Sequence, residues 1–166
     1  MSVTASRRLC LCSGLALACG LGACAQALKP TAASPLLRSG RMAINERVDN
    51  GRRFSAAFEL QGTATQGELS IFTPLGSVLR KLVWDAESAR LLDGSSEQRF
   101  ANLAELSRAA LGTELPIAAL FDWLEGRATE VAGWQIDLSR HAQGRIMATR
   151  EAPAPAVELR VVLDLP

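Results

Sequence analysis

Between Arg53 and Gln61 the chain alternates residue by residue. Phe54, Ala56, Phe58 and Leu60 fall on one side, and Arg53, Ser55, Glu59 and Gln61 on the other. A period of two is the mark of an extended strand with one face in a core and one in water. A helix would scatter these residues around its whole circumference. The same alternation recurs along the chain. Met42 and Ile44 suggest a preceding strand, joined through the turn residues Asp49-Asn50-Gly51. Leu69 and Ile71 alternate in GELSIFT, after the hairpin turn GTATQG, and a strand over 77–84 follows Thr73-Pro74-Leu75-Gly76. Shorter strands are expected over 89–92 and 98–100 around Asp93-Gly94. Trp134, Ile136 and Leu138, then Ile146 and Ala148, then Val157, Leu159, Val161 and Leu163 complete the series.

The period changes only in the middle. Asn102 is placed to cap a helix that runs to about Leu111 and stops at Gly112. Pro116 opens a second helix to about Glu125, with Ile117, Leu120, Phe121 and Leu124 at helical spacing and Gly126 as its stop. Meandering strands, two helices and more strands predict a mainly β fold: a strongly curved antiparallel sheet with a helical insertion on its concave side. Such a sheet cannot fill its concave face with its own side chains. The helices are therefore expected to act as a plug or lid.

All four cysteines lie in the first 24 residues of the 166-residue chain. Arg7 and Arg8 precede an uncharged, mostly apolar run over 9–21, and Gly22 and Ala23 precede Cys24. This is the layout of a bacterial secretory signal over 1–23. The run is shorter than the ~20 apolar residues of a spanning helix. Leu21-Gly22-Ala23-Cys24 resembles a lipobox, in which the cysteine thiol takes a diacylglyceryl group and becomes the first residue of the mature chain. Ala16-Leu17-Ala18-Cys19 is the competing site, and a plain signal peptide the competing reading. Residues 24–38, with Pro30 and Pro35, then form a lipidated linker, and 39–166 the folded domain. Inner-membrane retention usually goes with Asp beside the lipidated cysteine, so Ala25 there points to the outer membrane of a Gram-negative envelope.

Little in the domain suggests catalysis. His141 is the single histidine, no Gly-x-Ser-x-Gly elbow occurs, and no cysteine follows Cys24. A zinc site, a Ser-His-Asp triad and a redox pair all lack their residues, so neither metal nor cofactor is expected. His141 itself reads as a solvated residue at a strand end. The net charge of +1 becomes −1 without Arg7 and Arg8, which argues against a nucleic-acid partner.

Three pieces in fixed order carry a family resemblance: Thr73-Pro74-Leu75-Gly76-Ser77 between strands; Leu111-Gly112, Leu115-Pro116-Ile117, Leu120 and Trp123-Leu124-x-Gly126 across the helices; and Gly133-Trp134 before a strand. In these the chain resembles the LolB family, outer-membrane lipoproteins that take other lipoproteins from the soluble periplasmic carrier LolA. The resemblance covers roughly 39–165 and the lipobox. It implies an unclosed antiparallel β-barrel with a helical lid over a hydrophobic cavity. It also implies acyl-chain transfer from carrier to receptor to the inner leaflet of the outer membrane, by a monomer and without nucleotide hydrolysis. The chain departs from the family pattern in the short segment between Gly126 and Gly133, and in ending at Leu165-Pro166 without a tryptophan.

Residues follow from that implication. Phe54, Phe58, Leu60, Leu69, Ile71, Trp134, Ile136, Leu159 and Val161 are candidates for the acyl-binding concave face, and Leu120 and Phe121 for the lid. Turn leucines usually fold back onto a core. The resemblance instead makes Leu75, between Pro74 and Gly76, a membrane-inserting tip. Two other functions fit the same fold: a lipid-anchored binding protein for another hydrophobic ligand, and a structural assembly lipoprotein that binds none.

Overall fold

The computed structural model describes residues 36–165. The signal segment, Cys24 with its alternative Cys19, Ala25 and most of the linker lie outside the described residues.

Nine strands form one antiparallel sheet. They are β1 (Leu36–Glu46), β2 (Arg53–Gly62), β3 (Gly67–Phe72), β4 (Val78–Trp84), β5 (Ala89–Asp93), β6 (Ser96–Phe100), β7 (Trp134–Asp137), β8 (Arg145–Arg150) and β9 (Val157–Leu163). Their spatial order is β6-β5-β4-β3-β2-β1-β9-β8-β7. Five strands, β2 to β6, meander outward from β1 on one side, and β9 pairs with its other side to start a second meander back to β7. The sheet does not close, and β6 and β7 are its free edges. Helices α1 (Leu103–Leu111) and α2 (Ile117–Leu124) lie in sequence between those two edges. The chain leaves one rim of the opening at Phe100 and re-enters the other at Trp134.

Register places the alternating apolar residues on one face. Ile44 lies opposite Phe54 on one side and Leu159 on the other, and Leu159 opposite Ala148, which faces Ile136. Leu60 faces Leu69, which faces Leu82, which faces Leu91. These rows bury their side chains together with Leu106, Ile117, Leu120 and Trp123 of the helices in one core. At Gly67 the inward face has no room for a side chain. A Cβ there would stand 2.5 Å from the Trp84 ring, so the glycine lets the indole lie across the strand.

The strands expected from alternation are all present, with shifted ends. β1 starts at Leu36 and so takes in part of the segment that the sequence assigns to the linker, because Leu36 and Leu37 continue the ladder opposite Gly62 and Gln61. The β5–β6 turn is Gly94-Ser95, with Gly94 at φ +59°. Leu138 lies beyond the end of β7.

Candidate functional site

The first feature is the loop from Thr73 to Ser77. Thr73 ties it from both sides: its N–H donates to Ser77 O at 2.8 Å, its carbonyl accepts from Gly76 N at 2.9 Å, and its hydroxyl accepts from Ser77 N at 3.2 Å. Gly76 adopts φ +82° with open space where a Cβ would be, a conformation that favours glycine. The loop is thereby closed on itself and projects Leu75, which is 94% exposed. The side chain does not fold back onto the core. Val78 and Leu79, which follow the loop at the start of β4, are also exposed.

The second feature is the inward face of the sheet. Phe58, Leu60, Leu69, Ile71, Leu159 and Val161 are buried there, as are Leu120 and Phe121 on α2, while Phe54, Trp134 and Ile136 are half-buried against the same cluster. The structure brings all eleven candidates together, and they fill the interior with side chains. Trp84, Leu82, Leu91 and Trp123, which are not among the candidates read from the sequence, belong to the same core. Trp84 and Leu82 alternate within their strand as plainly as Phe58 and Leu60 do. Trp123 was hidden because it lies off the stripe formed by Ile117, Leu120, Phe121 and Leu124.

α2 is apolar nearly all round. It buries Ile117, Ala119, Leu120, Phe121, Trp123 and Leu124, which is nearly its whole circumference, as expected of a helix inside a core rather than on one. Phe121 meets Trp84 of β4 edge-on at 6.1 Å between ring centroids. Trp123 meets Trp134 of β7 at 6.0 Å. One short helix therefore reaches from the middle of one meander to the free edge of the other.

Polar contacts fix the helices at their ends. Asn102 Oδ1 accepts from Glu105 N at 2.9 Å at the start of α1, and Gly112 ends it at φ +82°. The buried Ser107 hydroxyl donates to Ala104 O and accepts from Leu115 N, tying α1 to the connection that follows. At the end of α2, Trp123 Nε1 donates to Thr129 O at 2.9 Å. Asp122 accepts from Thr129 Oγ1 at 2.6 Å and pairs with Arg127. These contacts, Thr129 first, hold the Asp122 carboxyl below the usual carboxylate range. His141 is not the free surface residue that the sequence suggests. It lies in a short 3-10 turn, with Nε2 3.1 Å from Leu124 O and its ring against Gly126. It thus closes the C-terminus of α2, where the last carbonyls lack helical partners.

Arginines gather at the other end of the helices. Arg80 donates from Nη1 to Ala110 O at 2.8 Å and from Nε to Asp93 at 2.9 Å. Arg150 reaches the α1–α2 connection from β8 and lies over the Trp134 ring, 5.6 Å from its centroid. At the end where the chain enters β1, an open cleft of about 770 Å³ is lined by Leu37, Leu124, His141, Leu163 and Leu165, among others. Among the described residues no group of His, Cys, Asp or Glu is placed to hold a metal ion, and no helix is long and apolar enough to cross a membrane.

Comparison with known proteins gives one consistent result. The family model described as Outer membrane lipoprotein LolB matches residues 37–155. A protein of Nitrosomonas europaea named Outer-membrane lipoprotein LolB is 32% identical over 154 residues, covering 78% of this chain and 71% of the relative. Relatives of the same name in Thiobacillus denitrificans, 31% identical, and Bordetella petrii, 26% identical, are matched almost end to end: 95% and 94% of this chain, and 96% and 92% of the relatives.

Proposed function

The chain belongs to the LolB family of outer-membrane lipoproteins, and from that membership we propose that it receives lipoproteins from a LolA-like periplasmic carrier and inserts them into the outer membrane. Its acyl-binding surface is the inward face of the sheet, exposed when α1 and α2 move aside. Its membrane contact is the loop of Pro74, Leu75 and Gly76. Its anchor is the lipid on Cys24.

The physical need for such a receptor is large. An acyl chain of about sixteen carbons left in water would cost on the order of 12 kcal/mol, at ~0.8 kcal/mol per methylene. Cargo must therefore pass from one enclosed apolar surface to another. One observation carries the reading: an almost fully exposed leucine, held out by a loop closed on itself, on a domain whose other large apolar surface lies beneath two helices. A leucine left in water at a loop tip gains free energy by entering a membrane, at ~1.5–3 kcal/mol for full burial.

The direct test mixes this protein with a carrier loaded with a labelled lipoprotein and with vesicles. The label should move to the vesicles only when this protein is present. Equal movement without it would remove the proposal. The anchor has its own check: the N-terminal peptide of the mature protein should begin at an acylated Cys24, and an unmodified Cys24 would count against it.

A second reading has an observation of its own. The inward face is filled by the protein's own side chains, which suits a structural assembly lipoprotein that binds no ligand. Uptake of a fluorescent acyl probe separates the two, because a permanently filled core takes up none. A binding protein for another hydrophobic ligand would take up the probe and fail the transfer test.

A further inference from the structure

Four arginines stand around the end of α1 and the α1–α2 connection, and three have carboxylate partners. Arg80 is paired with Asp93, Arg52, beside Gly112, with Glu46, and Arg108, in the last turn of α1, with Glu114 of the connection. Arg150 differs. It is only 8% exposed, yet no carboxylate pairs with it among the described residues. It lies in the inward row Trp134–Arg150–Val157–Glu46, but the carboxylate of that row is already held by the side chain and N–H of Arg52.

The donors of Arg150 are poorly used. Nη1 donates to Glu114 O and Nη2 to Thr113 Oγ1, both at a long 3.3 Å, and the buried Nε donates to no described atom. A buried charge needs its full set of hydrogen bonds to offset lost hydration. The charge lies over the Trp134 ring, but that contact leaves the donors of the guanidinium free. What Arg150 offers is a planar fork, seated on the apolar face and covered by a segment that accepts only two long hydrogen bonds from it. Both its present acceptors are neutral oxygens, one of them a peptide carbonyl. An ester carbonyl is an acceptor of the same geometry and can replace it one for one.

Its place in the sheet fits that use. β1 begins at the same end as the β2–β3 turn, since Leu36 faces Gly62 and Gly62 faces Gly67. The Leu75 loop follows the far end of β3. Arg150, across Val157 from Glu46, is also at the far end from Leu36. Leu75 and Arg150 thus stand at the same end of the sheet.

We propose that Arg150 is the polar anchor of the acyl-binding site. Its guanidinium takes the ester carbonyl oxygens of a diacylglyceryl group when the α1–α2 connection lifts, and holds the lipid head at the end that carries Leu75. The inference rests on the acyl-receiving function proposed above. The chemistry is common to the diacylglyceryl-cysteine of a lipoprotein and to a phospholipid.

The test compares a fluorescent diester lipid with its diether counterpart, which has the same chains and no carbonyls. Every arm uses the chain with Cys24→Ser, so that no acyl group of its own competes. The parent protein should bind the diester about tenfold more tightly, the size of one hydrogen bond from a charged donor. Arg150→Met should bring the ratio of the two Kd values close to one. Arg150→Lys, which keeps the charge and loses the fork, should fall between, and it stands as the test variant should the methionine variant fail to fold. Equal binding of both lipids by the parent protein overturns the inference alone, as does a preference that survives in these variants. Binding of neither lipid by the parent protein overturns the acyl-receiving function and this inference with it. Displacement of the bound diester by a synthetic triacylated lipopeptide identifies the lipoprotein group as the source, and displacement by phosphatidylglycerol the phospholipid. Displacement by neither overturns the assignment.

Discussion

Leu75→Glu should give a protein that folds and takes up acyl probes as before, but passes lipoproteins to vesicles at least tenfold more slowly. Stability should change by no more than ~0.5 kcal/mol, because the side chain is 94% exposed and packs on nothing. Acyl uptake should not change, because the loop closes through Thr73 and leaves the inward face untouched. The loss falls on delivery alone. A leucine entering a bilayer gains ~1.5–3 kcal/mol, which is roughly tenfold to a hundredfold in a rate or an equilibrium, and a glutamate there adds a charge that must be kept in water. Leu75→Phe, which keeps an apolar tip, should transfer normally. Transfer at the parent rate by a folded Leu75→Glu protein would rule out insertion by this loop. Val78, which follows the loop, is also an exposed apolar residue, so the double variant with Val78→Glu should transfer more slowly still.

The contrast between Leu75 and Arg150 shows which parts of the site a sequence can display. The loop around Leu75 is local. A proline, a leucine and a glycine between two alternating runs specify a turn, and contacts within five residues close it. Its exposure still could not be read, because whether a turn leucine folds back depends on whether the core has room beneath it. Arg150 is the opposite case. It occupies an inward position of an alternating strand, where the pattern calls for an apolar residue, and its acceptors lie 36 and 37 positions away in sequence. His141 was misread for the same reason, since the carbonyl it meets is 17 positions upstream. The fold was more legible. Alternation marks the strands, Asn102 and Gly112 bound α1 through contacts within one turn, and the helices fall in the sequence between the strands that become the two rims. The alternation does not say whether the inward face encloses space or is filled. That depends on how deeply Phe121 and Trp123 sink, and both are set by aromatic partners on distant strands.

Trp123→Ala should produce the largest loss of stability of any single substitution considered for this chain, about 3–5 kcal/mol. The indole is fully buried, its ring meets Trp134 on the free-edge strand, and its Nε1 holds Thr129 O beyond the end of the helix. Its removal empties a large volume that the surrounding strands can refill only in part, since Phe121 is held on the opposite side of α2 by Trp84. A domain of this size has a total stability of roughly 5–15 kcal/mol, so the variant should lie near the edge of folding, with a Tm lower by something like 10–20 °C. Chemical denaturation followed by far-UV circular dichroism measures the change. A loss below ~1 kcal/mol would mean that α2 does not pack on β7 as described. The functional consequence runs the other way. If the helices must lift for acyl chains to reach the inward face, weakening their hold on β7 lowers that cost. At a temperature where the variant is still folded, it should therefore take up acyl probes faster than the parent protein. Slower or unchanged uptake by the folded variant would show that the helices stay in place and that cargo reaches the protein by another surface.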